Sequence, residues 1–127
     1  MSDTKKLDHQ FHNFKLALKK LNEFTQEPIE NDRDRAGIIQ AFEFTFEQCW
    51  KYFQKKGELI GEVIPGPKPA LEIALRYGWI KTVDEEIWLE MLKDRNMTSH
   101  LYREDVSLEI LNRITQQYLD KLNEVNK

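Results

Sequence analysis

Three side chains with complementary chemistry lie close together in the stretch Lys93–Asp105, which reads KDRNMTSHLYRED. Arg95, His100 and Tyr102 follow the spacing R-x4-H-x-Y. Imidazole titrates near neutral pH, so His100 can take a proton from a ribose 2′-hydroxyl and return one to a leaving oxygen. The Arg95 guanidinium fits the charge that develops on an attacked phosphate, and the Tyr102 hydroxyl could position phosphate or accept a modification. The trio indicates metal-independent RNA cleavage; the other interpretation is a buried polar trio that caps a helix end.

Convergence of this trio requires a break in the helical pattern. In an unbroken helix, residues five apart differ by about 140° around the axis, so Arg95 and His100 would diverge. Asn96, Thr98 and Ser99 are weak helix formers that favour caps and turns. We therefore expect the helix to break or kink at these polar residues and to bring the guanidinium and the imidazole together.

A second candidate is a polar stripe on an earlier helix, formed by Glu43, Glu47 and Lys51 at successive spacings of four. The two carboxylates repel by about 0.2–0.5 kcal/mol, and Glu47 with Lys51 recovers a similar amount. A solvated stripe is the ordinary interpretation. The alternative is that these residues face a groove or a partner.

The histidines give little support for a metal site. Di-iron bundles use Glu-x-x-His pairs, and none of His9, His12 and His100 has a glutamate three residues earlier. His9 and His12 are close enough on a helix to share a metal, but only Asp8 lies nearby as a further ligand. We expect neither a metal nor a cofactor.

Composition limits the class of protein. The chain has 127 residues, 40% of them hydrophobic and 11% aromatic, which is typical of one folded domain spanning 1–127. The net charge of −3 argues against a general polyanion binder, although five lysines among the first twenty residues could form a local basic face. A lone cysteine in an apolar row, no signal-peptide pattern and no membrane-length apolar run predict a cytoplasmic protein without membrane contact.

Hydrophobic periodicity predicts an all-α fold with five helical segments and no strand. The first segment stops before Pro28, since the residue before a proline avoids helix. Gly57 ends the second, and 57–67 (GELIGEVIPGP) reads as a loop. A third helix runs to Tyr77 with Gly78 as its left-handed cap, and Thr82-x-x-Glu85 is a capping box for the fourth. The apolar positions of the first segment are Leu7, Phe11, Phe14, Leu18 and Leu21, and those of the second are Ile39, Phe42, Phe46, Cys49 and Phe53. Those of the fourth segment are Ile87, Trp88, Met91 and Leu92. Those of the last segment are Leu111, Ile114, Tyr118, Leu122 and Val125.

These stretches resemble a known family. DRNMTSHLY (Asp94–Tyr102) resembles the R-x4-H-x-Y signature of HEPN domains. RAGIIQAFEFTFEQCWK (Arg35–Lys51), ALEIALRYGWI (70–80) and WLEMLKDRN (88–96) are similar to the helices of small HEPN proteins that pair with minimal nucleotidyltransferases. These are known as nucleotidyltransferase substrate-binding proteins, and the resemblance covers roughly residues 7–122.

The resemblance implies an antiparallel four- to five-helix up-and-down bundle that forms a homodimer, with the motif in a groove between protomers. Some members resemble ribonuclease toxins that a partner nucleotidyltransferase neutralises by AMP transfer. By position, His100 would be the general acid or base and Arg95 the phosphate binder. Tyr102 would be the modified residue, with Asp94 and Asn96 supporting the geometry.

Other functions remain open. The bundle could be a non-catalytic accessory subunit that recruits substrate to the nucleotidyltransferase, or a plain structural dimer. The chain also departs from the resembled family, because Lys68 stands where an arginine is expected and the 57–67 loop is unusually apolar. Both departures concern how a partner docks.

Overall fold

The computed structural model describes residues 2–97 and 103–127. That part of the chain contains helices and turns but no strand, which confirms the all-α helical bundle. No helix within it combines the length and the apolar character needed to cross a membrane. The helices are α1 (Asp3–Gln26), α2 (Asp32–Glu58), α3 (Pro67–Arg76), α4 (Glu85–Asn96), α5 (Glu104–Arg113) and α6 (Leu119–Asn123), with a 3₁₀ turn at Thr82–Asp84 and a π-helical turn at Ile114–Tyr118.

Helix α2 is the centre of the bundle, because it contacts α1, α3, α4 and α5. Helices α1 and α4 run antiparallel to it: Gln10 near the start of α1 bonds to Gln48, and Trp88 near the start of α4 lies against Phe53. The core is rich in aromatic rings, and Phe42 stacks on Tyr118 with ring centroids 5.3 Å apart. The predicted apolar faces of α2 and of the last segment are buried throughout.

Helix ends follow local chemistry. The side chains of Ser2 and Asn31 accept hydrogen bonds from backbone N–H groups in the first turns of α1 and α2. Helix α1 ends at Gln26, just before Pro28, as predicted. Gly78 has φ of +74°, which confirms its left-handed cap position.

The predicted capping box at the start of α4 is wrong. Residues Thr82–Asp84 form a 3₁₀ turn, so the α-helix begins only at Glu85 and Asp84 occupies the N-cap position. Asp84 caps no backbone N–H with its side chain. Its carboxylate instead lies 3.2 Å from Lys121 Nζ, because α6 packs beside the start of α4.

The end of α2 also differs from the prediction, because Gly57 lies inside the helix, which continues to Glu58. The Gly57 carbonyl accepts hydrogen bonds from the backbone N–H groups of Ile60 and Glu62, at 3.0 and 2.9 Å. Gly61, at φ +85°, makes the reversal that this turn requires. The chain thereby folds back, and buried Ile64 packs against the bare Cα of Gly57.

The last two helices form one rod with an irregularity that periodicity did not predict. The residues at both junctions, Ile114 and Leu119, keep right-handed helical angles, so α5 runs through the π turn into α6 without a break. A π turn inserts an extra residue into the helical ladder and rotates the side chains that follow it.

Two glycines of α2 provide a test of this packing. A Cβ at Gly37 would meet nothing within 4 Å, so Gly37→Ala should raise the free energy of unfolding by about 0.5–1 kcal/mol. A Cβ at Gly57 would lie 2.5 Å from Ile64 Cδ1, so Gly57→Ala must displace a buried side chain. We expect Gly57→Ala to be less stable than Gly37→Ala by about 1–3 kcal/mol in urea denaturation. Equal stability of the two variants would contradict the close approach of Ile64.

Candidate functional site

An ion pair between α2 and the end of α4 marks the candidate site. Arg95 Nη2 lies 2.6 Å from Glu47 Oε2, and both side chains are about three-quarters buried, with 29% and 25% of their surfaces exposed. Arg95 is in the last turn of α4, where the negative end of the helix dipole also stabilises a cation. Its Nη1 donates to Asn96 Oδ1 at 3.3 Å. Arg95 therefore has a defined direction, towards Glu47 of α2.

Glu47 collects donors from its own helix as well. The Trp50 indole Nε1–H donates to the same Oε2 at 2.9 Å, and Lys51 Nζ lies 3.6 Å from Oε1. Burial acts to raise the pKa of Glu47. The hydrogen bond from Trp50 and the positive charge of Arg95 outweigh burial, so the pKa lies below its ordinary value of 4.5. Glu47 is ionised at neutral pH and holds Arg95 as a charged partner.

The residue before Arg95 points the other way, into the bundle. Asp94 exposes only 3% of its surface and accepts a two-pronged contact from Arg113, with Nε to Oδ2 at 2.6 Å and Nη2 to Oδ1 at 2.8 Å. The Tyr118 hydroxyl donates to Oδ2 of the same carboxylate. We call Asp94, Arg113 and Tyr118 the Asp94 clasp. It satisfies a buried charge and ties the end of α4 to the last rod.

The π turn explains how two residues five apart reach one carboxylate. In a regular α-helix Arg113 and Tyr118 would differ by about 140° around the axis. The turn at Ile114–Tyr118 has the wider i→i+5 hydrogen-bond pattern, which brings positions five apart towards the same face. Burial and the hydrogen bond to Asp94 raise the pKa of Tyr118, and the contact with Asp94 raises the pKa of Arg113. The phenol stays protonated and the guanidinium stays charged.

A groove of about 470 Å³ runs beside the Glu47–Arg95 pair, between α1 and α2. Two of its lining residues are exposed aromatics, Phe24 at 42% and Phe44 at 56%. Carboxylates and cations both face it. The lining residues are Ala17, Lys20, Phe24, Gly37, Gln40, Ala41, Glu43, Phe44, Glu47 and Arg95.

The candidate residues from the sequence thus separate into three groups. Glu43, Glu47 and Arg95 meet at the groove, and Lys51 and Asn96 adjoin it through their contacts with Glu47 and Arg95. Asp94 faces away from the groove and binds Arg113 within the Asp94 clasp. The break after α4 is confirmed, since the helix ends at Asn96. His100 and Tyr102 lie outside the described residues, so their convergence with Arg95 stays a prediction.

The groups that ligate metals are dispersed in the described part of the chain. Among residues 2–97 and 103–127, no group of three or more His, Cys, Asp or Glu side chains is arranged to hold a metal ion. The single cysteine, Cys49, is fully buried in the core, and its burial raises the pKa of the thiol. This thiol is therefore an apolar packing group rather than a nucleophile.

Comparisons with known proteins identify the family of this chain. The family model of nucleotidyltransferase substrate binding protein-like chains matches residues 9–127. The chain belongs to this family. A crystal structure of a protein from Thermus thermophilus is similar to it with 29% sequence identity and a TM-score of 0.81, over 88% of this chain and 94% of that one. No curated protein matches.

The sequence of this substrate-binding-like chain did not predict three polar contacts of Glu47 and Asp94. Trp50 lies three residues after Glu47, a spacing at which helical side chains meet, so this pair was detectable. Arg113 and Tyr118 had no such signal, because Asp94 is 19 and 24 residues away and the π turn changes which residues share a face. Tyr118 was predicted only as an apolar core residue.

The lowered pKa of Glu47 makes a pH-dependent contribution to stability. Because the folded-state pKa lies below 4.5, the ionised carboxylate stabilises the fold above that pH, and the effect is lost as the pH falls through the folded-state value. Glu47→Gln should therefore lower the free energy of unfolding by about 1 kcal/mol at pH 7. The deficit should shrink between about pH 5 and pH 3.

Urea denaturation at a series of pH values measures this deficit. Glu43→Gln is the matched control, because Glu43 lies one turn earlier on the same face and makes no ion pair with any residue in the described ranges. A deficit for Glu47→Gln that is constant with pH would contradict the assigned role of the charge.

Proposed function

We propose that this chain is the partner of a small nucleotidyltransferase and cleaves RNA without a metal ion, acting as a homodimer. The observation that carries the proposal is the Arg95 guanidinium, held at the edge of an open groove by Glu47 and directed by the end of α4. The remaining motif residues, His100 and Tyr102, follow within seven positions of Arg95 along the chain. Membership of the nucleotidyltransferase substrate-binding-like family supports the partner.

The proposed reaction is an internal transesterification. His100 takes the proton of a ribose 2′-hydroxyl, and the resulting oxygen attacks the adjacent phosphorus. The bond from phosphorus to the 5′-oxygen breaks, and that oxygen receives a proton, in a homodimer from the second copy of the motif. Arg95 stabilises the charge on the phosphoryl oxygens. The products are a 2′,3′-cyclic phosphate end and a 5′-hydroxyl end, and the balance of atoms requires no metal.

A second candidate function is supported by the charge of the groove. Glu43 and Glu47 line it, Glu47 is ionised, and the net charge of the chain is −3, all of which disfavour a polyanion. The exposed rings of Phe24 and Phe44 are better suited to a protein surface. On this alternative the chain is a non-catalytic accessory subunit that presents a substrate to the nucleotidyltransferase.

RNA cleavage in excess EDTA distinguishes the two functions. The wild-type protein should convert RNA to fragments with cyclic phosphate ends, and His100→Ala should lose at least about 10²-fold in rate because proton transfer is removed. His12→Ala, which removes an exposed histidine from α1, is the matched control and should cleave like the wild type. Cleavage by His100→Ala at the wild-type rate would exclude the nuclease; no cleavage by either would favour the accessory subunit.

AMP transfer from ATP tests the partnership. The Tyr102 phenol would lose its proton and attack the α-phosphorus of ATP, releasing pyrophosphate and leaving an aryl phosphodiester. Incubation with ATP and a small nucleotidyltransferase from the same organism should increase the intact mass of the chain by whole AMP groups. Tyr102→Phe should abolish that increase, whereas Tyr77→Phe, which removes a phenol that is 46% exposed, should not. Unchanged modification of Tyr102→Phe would assign the acceptor to another residue.

A further inference from the structure

We propose that Arg113 and Tyr118 are positioning residues for the site, acting on Arg95 through Asp94. The proposal rests on the role given to Arg95 above, but its central readout is the geometry of Arg95 and does not require RNA cleavage. Neither residue touches the groove. Their effect is mechanical: they fix the last turn of α4, and that turn sets the direction of the Arg95 guanidinium.

Helix α4 is attached to the last rod at both ends by an aspartate and a cation. At its start, Asp84 is 6% exposed and lies 3.2 Å from Lys121 Nζ on α6. At its end, Asp94 is 3% exposed and is held by Arg113. The two attachments are chemically alike, yet ten residues separate the aspartates, about 15 Å along a helix. Only the second lies next to Arg95.

The geometry of the Asp94 clasp fixes both the position of the last turn of α4 and its rotation about the helix axis. A two-pronged guanidinium contact fixes the plane of the Asp94 carboxylate, and the Tyr118 hydroxyl fixes it from a second direction. Arg95 is the next residue and points to the opposite partner, at 2.6 Å from Glu47. A rotation of this terminal turn that loosens Asp94 therefore moves Arg95 relative to Glu47. The last turn of a helix lacks intrahelical partners for its carbonyl groups, so fewer backbone hydrogen bonds resist that rotation.

The Asp94 clasp also accounts for the π turn. Without the extra residue, Arg113 and Tyr118 could not both face Asp94. A π turn weakens the regular hydrogen-bond ladder, and such turns occur preferentially at functional sites. The irregularity in the last rod is thus matched to the buried carboxylate beside the motif arginine.

Trp50 provides a direct reporter of Arg95. Its indole N–H donates to Glu47 Oε2, the oxygen that Arg95 also contacts. The chain has three tryptophans, so a ¹H–¹⁵N correlation spectrum contains three indole signals, and Trp50→Phe assigns the relevant one. Arg95→Ala defines the position of this signal when the guanidinium is absent.

The experiment compares this signal among folded variants. Arg113→Lys keeps a positive charge near Asp94 but cannot form the two-pronged contact, and Tyr118→Phe keeps the ring stacked on Phe42 but removes the hydroxyl. Both should move the Trp50 signal towards its position in Arg95→Ala. Asp84→Asn is the matched control, because it loosens the other end of α4. It should leave the Trp50 signal at its wild-type position, even where thermal melting shows a loss of stability similar to that of Arg113→Lys and Tyr118→Phe.

The outcomes separate the inference from the proposed nuclease. A wild-type Trp50 signal in both Arg113→Lys and Tyr118→Phe would overturn the positioning role, as would an equal shift in Asp84→Asn. Where the wild type cleaves RNA, Arg113→Lys should also lower kcat on the order of tenfold or more, since small misplacements of a catalytic group are costly. Where the wild type does not cleave RNA, the nuclease fails and the Trp50 signal alone decides the positioning role.

Discussion

The buried carboxylate of Asp94 is the interaction on which the geometry of the candidate site depends. A charge with 3% exposure is tolerated only when it is paired and its acceptors are filled, and Arg113 with Tyr118 meet both conditions. The shifts of their pKa values, upward for Tyr118 and for Arg113, keep the phenol neutral and the guanidinium charged. Neither donor therefore titrates in the physiological range. The Asp94 clasp acts as a fixed joint between α4 and the last rod.

A second carboxylate, Glu47, acts differently because it is at a surface groove rather than in the core. It holds Arg95 with a 2.6 Å contact, and the same charge that directs the guanidinium also competes with phosphate for it. An RNA phosphate at this site must share or displace Glu47. This competition explains why the groove supports two candidate functions. Glu47 orients Arg95 for binding phosphate, but the negative charge of Glu47 disfavours the binding of a polyanion.

Sequence reasoning succeeded where structure follows from local pattern. The apolar faces of α2 and of the last rod are buried as predicted, because burial depends on a period that neighbouring residues reveal. It failed where the outcome depended on distant chain segments. Thr82 fits a capping box, but α4 begins only at Glu85, and Asp84 before it pairs with Lys121 of α6. Gly57 reads as a helix end, yet the helix continues one residue further to Glu58, and Ile64 packs over Gly57.

The candidate site shows the same division more sharply. The motif arginine was found from spacing alone, whereas its partner Glu47 is 48 residues earlier and no local pattern links them. Asp94 was predicted to support the site; it faces away from the groove and binds Arg113, and its support of the site stays a prediction. Two adjacent residues at the end of α4 thus make contacts on opposite sides: Asp94 binds Arg113 in the interior, and Arg95 binds Glu47 at the groove. The motif arginine consequently lies between two contacts, that of α4 with the last rod on one side and that with Glu47 of the groove wall on the other.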